Sequence, residues 1–211
     1  MKAAMILISV TVLALFLGWQ AYMTIMANST EQQQYRVVVR TGEALGSDIE
    51  IRFYPPANRA VVQVMSREGD YEFMRNRGFR ELGGYIFGNN ERNESIAMTA
   101  PVVMAVDANG NALSGTMAFT MPRSFDPATK PRPRSEFIAF TETDSMYTAS
   151  LTIGGFPRLN DMNALKQRLF AALAANDLQH DGKAEYLYYN APTQMAGRRN
   201  EVLVRLVGFS E

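Results

Sequence analysis

The chain has 211 residues, with 21 Lys plus Arg balanced by 21 Asp plus Glu. That length accommodates one domain of about 180 residues behind an N-terminal segment, and the neutral balance argues against a nucleic-acid binder, which carries a basic excess. Cysteine is absent, which excludes disulfides, thiolate metal sites and cysteine nucleophiles.

Residues 3–27 contain no charged side chain. As a helix at 1.5 Å per residue they extend about 37 Å, enough to cross a bilayer core with some tilt. Trp19 and Tyr22 stand where an interfacial aromatic belt forms. Lys2 and the amino terminus give a positive flank, and residues 28–35 hold no Lys or Arg. The charge asymmetry predicts a cytoplasmic N-terminus and a domain on the extracytoplasmic side, the periplasm if the source is Gram-negative. Segment 1–27 is therefore expected to be a single-pass transmembrane anchor. The alternative is a signal segment whose cleavage frees a secreted domain, against which stand its length and the lack of a clean A-x-A site. Residues 28–34 are polar and are expected to be a tether.

From residue 35 onward strands are predicted at 35–40, 49–54 and 60–65, with a Gly-containing turn from Thr41 to Ser47 and a break at Pro55-Pro56. Asp70 is an N-cap for a helix from Tyr71 to about Phe87. Its Tyr71, Met74, Gly78, Leu82 and Tyr85 share one face, which Phe79, Leu82 and Ile86 extend. Gly88 stops it. A strand from Met98 to Val106 is interrupted by Pro101, Asn109-Gly110 is a hairpin signal, and 115–121 is the return strand. A Pro-rich charged loop follows at 125–134. Strands at 137–141 and 147–153, a helix from Leu159 to about Asn176, and strands at 186–190 and 201–207 complete the chain. The order strand, strand, helix, strand, strand occurs twice, offset from Ala60 to Ala149, which sets a repeat of about 89 residues. Two such units bury their apolar sheet faces against one another and leave a cleft as the default ligand site.

Four segments carry a family resemblance: Ile49-Glu-Ile-Arg-Phe-Tyr-Pro-Pro56, Gly78-Phe-Arg-Glu-Leu-Gly-Gly-Tyr-Ile-Phe-Gly88, Ile96-Ala-Met-Thr-Ala-Pro-Val102 and Arg198-Arg-Asn-Glu-Val202. In this order they resemble the SOUL/haem-binding protein family over residues 35–211. The resemblance implies an α+β fold, a distorted antiparallel β-barrel of two pseudo-repeats with one long helix each. It also implies non-covalent binding of haem or another flat apolar tetrapyrrole in a groove beside the first helix and the loop before the last strand. Mapped by motif, the groove is Phe79, Leu82, Gly83, Ile86 and Phe87 with Met195, Arg198 and Arg199. The loop reads Ala191-Pro-Thr-Gln-Met-Ala-Gly197 where the family often has an aromatic and more prolines, a departure that bears on the groove's shape.

The chemistry suits such a ligand. A porphyrin needs a greasy slot, close backbone approach and cations for its carboxylates. Gly83-Gly84 leaves a flat spot, Phe79 and Phe87 flank it, and Arg75, Arg77, Arg80, Arg198 and Arg199 supply charge. The competing reading makes Phe79, Leu82 and Ile86 a core face and the arginines solvated. His180, the one histidine, is expected in a turn outside the groove and is a weak iron-ligand candidate. Met74, Met98, Met195 and Tyr85 are alternatives. Catalysis is not expected: Glu201 and Tyr85 are the available acid/base groups, and Glu201 beside two arginines reads as an ion-paired structural carboxylate. The alternative function is a module that binds a non-haem apolar ligand or a protein partner.

Overall fold

Helix α1 (Lys2–Ser29) opens the chain. The computed structural model describes residues 2–40, 49–106 and 113–211, so the expected turn at 41–47 and the Asn109-Gly110 hairpin lie outside the described residues. Met5–Ala27 is long and apolar enough to cross a membrane by length and composition. Ser9, Thr11 and Thr24 donate their hydroxyls to carbonyls four residues back, which hides the helix's polar groups within itself. Residues 5–19 are all exposed, whereas Gln20, Met23, Thr24 and Ala27 are half-buried. That three–four spacing is the face a helix presents to a neighbour.

The segment expected to be a tether is strapped to the domain. Strand β1 (Glu31–Gln32) pairs in parallel with β5 (Thr99–Ala100), the Gln33 N–H donates to Ala100 O at 2.9 Å, and the Arg123 N–H donates to the Glu31 carboxylate at 3.0 Å.

The remaining strands are β2 (Arg36–Arg40), β3 (Ile49–Tyr54), β4 (Ala57–Met65), β6 (Val102–Val106), β7 (Ser114–Thr120), β8 (Ile138–Thr143), β9 (Met146–Ile153), β10 (His180–Tyr188) and β11 (Asn200–Leu206). They form a nine-stranded sheet in the order β2-β3-β9-β11-β10-β6-β7-β4-β8, antiparallel at each step. β2 and β8 have no outer partner strand among the described residues. Two strands separate β4 from β10, about 14 Å along a flat sheet, yet Arg59 reaches Glu185 at 2.6 Å. The sheet is thus curled into a half-barrel, with this face turned inward. Exchanging β3, β4, β6 and β7 with β8, β9, β10 and β11 reverses the eight-strand order onto itself.

Helices α2 (Tyr71–Ile86) and α3 (Leu159–Ala175) cover the other face, α2 on β4 and β7 and α3 on β9, β10 and β11. Asp70 caps α2 by accepting the Phe73 N–H at 3.0 Å, and Gly88 leaves it at φ 110°. Tyr71, Met74, Gly78, Leu82 and Tyr85 face the sheet as the periodicity predicts. Met162, Leu165, Leu169 and Leu173 do the same in α3. Two further expectations need correction. His180 begins β10 instead of sitting in a turn, because its backbone pairs with Leu206. The loop at 125–134 is not wholly exposed: Phe125 is buried against Phe140, ring centroids 5.4 Å apart, and Pro131 is buried too.

Gly78 is where α2 comes closest to the sheet: a Cβ there would lie 2.9 Å from the Met117 Cβ. Gly78→Val is expected to destabilise the domain by about 1–3 kcal/mol through overpacking, read as a lower urea midpoint at unchanged slope.

Candidate functional site

Tyr71, Arg75, Phe79, Gly83 and Phe87 recur every four residues and form one slanted stripe along α2. The stripe runs at the edge of the helix's buried face. Phe79 is 39% exposed and Phe87 65%, while Gly83 is covered. A Cβ built on Gly83 would lie 3.4 Å from the Phe79 ring and 3.7 Å from the Phe87 ring, so the glycine lets the two rings close over bare helix backbone. Phe79 also meets Phe119 edge-on at 5.5 Å, which fixes its ring. Leu82 and Ile86 do not join this surface. They are 0% and 2% exposed because the 3.6-residue period turns them inward with Met74 and Gly78. Arg77 and Arg80 lie on the exposed side.

The N-terminal end of the stripe leans on the end of β10. The Tyr71 and Tyr188 hydroxyls are 2.7 Å apart, and the Arg75 guanidinium lies over the Tyr188 ring at 5.7 Å. The loop between β10 and β11 starts there. Its Arg198 donates to the carbonyls of Gly155, Ala191 and Gln194 at 3.0, 2.6 and 2.8 Å and covers the Phe156 ring at 4.2 Å. Burial lowers the Arg198 pKa, and the charge of Arg75 lowers it further. The two cations therefore share one neighbourhood. Met195 is 62% exposed at the loop's tip, and its N–H donates to Gln20 Oε1 at 2.8 Å.

Arg199 goes elsewhere. Alternation along the chain sends it to the inward sheet face, where Glu201 is 0% exposed. Glu201 accepts two bonds from Arg52 at 2.7 and 2.9 Å, two from Arg199 at 2.9 and 2.7 Å, and one each from Tyr189 at 2.9 Å and Thr152 at 3.2 Å. Burial alone would raise the Glu201 pKa; Arg52 and Arg199 outweigh it and hold the carboxyl below the ordinary range. The Tyr189 hydroxyl is pushed far up by burial and by the Glu201 charge. Glu201 is therefore an ionised, ion-paired carboxylate, as its neighbours in sequence predict. Arg52, which the sequence reading did not single out, is its principal partner. The available signal was an arginine inside the alternating strand Ile49-Glu-Ile-Arg-Phe-Tyr54.

The profile of the SOUL heme-binding protein family matches residues 30–205. The chain is a member of the SOUL family. Among curated relatives of this SOUL protein, "Heme-binding protein 2" of Homo sapiens is 30% identical over 187 residues, covering 83% of the chain and 86% of the relative. "Heme-binding protein 1" of Mus musculus is 27% identical over 169 residues, 78% and 87% of the two chains. Two solved structures share the fold at low identity. The EcmrR C-terminal domain has a TM-score of 0.58 at 10% identity, covering 76% of the chain and 98% of that domain. A hydrolase from Listeria innocua has a TM-score of 0.53 at 9%, covering 76% and 92%.

The chemistry of the stripe suits a flat apolar ligand at the surface. The exposed Phe79 and Phe87 rings, seated on Gly83, offer an apolar face, and Arg75, one turn away, pairs with Glu72 at 2.5 Å and has further N–H donors for a carboxylate. Haem would bring a flat apolar macrocycle with anionic substituents. No cluster of three or more His, Asp or Glu suited to a metal ion occurs among the described residues. His180 lies at the far end of β11 from Arg199, its ring against Phe170 at 4.1 Å and its Nδ1 accepting the Gly182 N–H at 3.1 Å. Tyr85 donates its hydroxyl to Pro131 O at 3.0 Å, and burial pushes its pKa up to about 12. Met74 is fully buried. Both are closed off from a surface ligand, whereas Met98 is half-buried and Met195 exposed.

Glu201→Gln leaves Arg52 and Arg199 uncompensated and is expected to cost about 3–5 kcal/mol, measured by chemical unfolding. Because the folded pKa is depressed, the carboxylate's contribution is complete above the unfolded value of about 4.3 and is lost as pH falls below it toward the folded value. The wild type should lose stability across that acid window, and the glutamine variant should show a shallower loss.

Proposed function

We propose that this SOUL protein is a membrane-anchored, non-catalytic binder of haem or a related tetrapyrrole, held in the shallow groove at Phe79, Gly83 and Phe87. The observation that carries the reading is the pair of exposed rings closing over Gly83 beside Arg75, in a chain of a haem-binding family. Arg198 lines the loop end of this groove and Met195 its outer lip, while Arg199, Leu82 and Ile86 hold the surrounding structure. The apolar α1, uncharged from residue 3 to 27, supports an anchor with the domain on the extracytoplasmic side. The palindromic strand order supports an origin of the half-barrel in a duplicated unit, one helix per copy. The neutral charge balance speaks against nucleic acid as a partner.

The test is a haemin titration of the full chain in nanodiscs, followed by Soret absorbance. Phe87→Ala removes one stacking ring and is expected to weaken binding about 10- to 100-fold, the worth of one buried aromatic. Gly83→Leu wedges the rings apart and should act in the same direction, with unfolding midpoints checked for both. His180→Ala should leave the Soret spectrum and affinity unchanged. Wild-type affinity in both groove variants would remove the α2 stripe as the site, and a changed spectrum in the histidine variant would make His180 the iron ligand.

A further inference from the structure

The last third of α1 is not free to be an anchor. Its Gln20 side chain grips the backbone of the loop between β10 and β11, donating Nε2–H to Thr193 O at 3.3 Å and accepting the Met195 N–H at 2.8 Å. From Gln20 onward the helix lies against the domain on its Gln20, Met23, Thr24 and Ala27 face. Residues 2–19 are left to span the membrane, about 27 Å of helix for a hydrocarbon core of about 30 Å. There is no slack. The docked stretch also turns Tyr22, Ile25 and Met26 outward, 54%, 66% and 46% exposed, an apolar face suited to the bilayer interface and unsuited to water.

The domain surface at that level has matching chemistry. Loops 154–158 and 191–199 are joined by the bonds of Arg198 and Asn200 to Gly155 O. They expose Phe156 and Met195, 57% and 62%, and together contain Arg158, Arg198 and Arg199 with no Asp or Glu. Arg199 is neutralised by Glu201, but Arg198 bonds only to carbonyl oxygens and keeps its charge. Apolar tips flanked by two charged arginines, Arg158 and Arg198, are a composition that seats on anionic headgroups.

We propose that loops 154–158 and 191–199 form a docking face for the headgroup layer of the bilayer that α1 crosses, with Gln20 as the clasp that holds the domain flush. The proposal rests on the anchor reading above. It places the loop end of the α2 groove at the membrane surface, where a lipophilic ligand partitions.

The chain lacks cysteine, so single cysteines report position cleanly. Met195→Cys, Phe156→Cys and Val207→Cys are made in the full chain, spin-labelled, and reconstituted in phosphatidylcholine vesicles with a minority of phosphatidylglycerol. Val207 follows β11, about 26 Å along the strand from the loop. Collisions with a water-soluble nickel chelate should be several-fold rarer at 195 and 156 than at 207. Gln20→Ala should raise the frequency at 195 toward that at 207 while the chain stays with the vesicles through an alkaline carbonate wash. Equal collision frequencies at all three sites in a carbonate-resistant chain would overturn the docking face and leave the anchor standing. Release of the chain by carbonate would overturn the anchor, and the docking face with it.

Discussion

The curl of the sheet depends on charges buried on its inward face. Glu201 sits on β11 with no exposure, and Arg52 reaches it from β3 across β9. The same guanidinium holds Glu50 at 2.8 Å and stacks on Tyr35 at 4.2 Å. Arg59 and Glu185 form a second bridge between distant strands. A carboxylate buried this deeply survives only if its lone pairs are satisfied by nearby cations, and both bridges demand that non-neighbouring strands approach. A flat sheet would hold Arg59 and Glu185 three strand spacings apart, about 14 Å. The network also roots the loop between β10 and β11: Arg199 is fastened to Glu201 and Tyr35, which fixes where the chain enters β11 and so where Arg198 and Met195 emerge.

Most of the fold was legible in the sequence because its elements carry strong local signals. Asp70 and Gly88 bracket α2, the three–four spacing of Tyr71, Met74, Gly78, Leu82 and Tyr85 gives its buried face, and alternation gives the strands. What local pattern cannot give is pairing. Arg52 and Glu201 are 149 residues apart, and nothing in either strand names the other. His180 departs from its expected turn for a related reason: Asp181-Gly182 is turn chemistry, yet the long-range pairing of His180 with Leu206 places it at a strand end. Residues 28–34 have a tether's composition, but a backbone can pair whatever its side chains, and β1 does so with β5.

The candidate site divides along the same line. A stripe of apolar residues on a helix does not state where core ends and surface begins, because neighbouring positions differ by only 100° of rotation. Leu82 and Ile86 fall on the inner side of that boundary, Phe79 and Phe87 on the outer. The double glycine was the better guide, since Gly83 marks the place where rings and backbone come close. Arg198 and Arg199 are adjacent in sequence and were assigned together, but consecutive residues in extended chain point to opposite faces, and their roles separate accordingly.

No strand lies outside β2 or β8 among the described residues, and the make-up of these two margins bears on strand addition. Unpaired strand edges template the addition of further strands. β2 is five residues long, carries an arginine at each end, and is interrupted by a register shift between Val37 and Val39. Arg36 is further tied to Glu211 at the C-terminus. β8 is six residues, presents the exposed Glu142 near its end, and follows a stretch containing Pro131 and Pro133. Such short, kinked and charged margins make poor templates for β-addition. The rims of the half-barrel thus discourage strand-by-strand growth through side-chain charge and backbone irregularity, with no need for barrel closure.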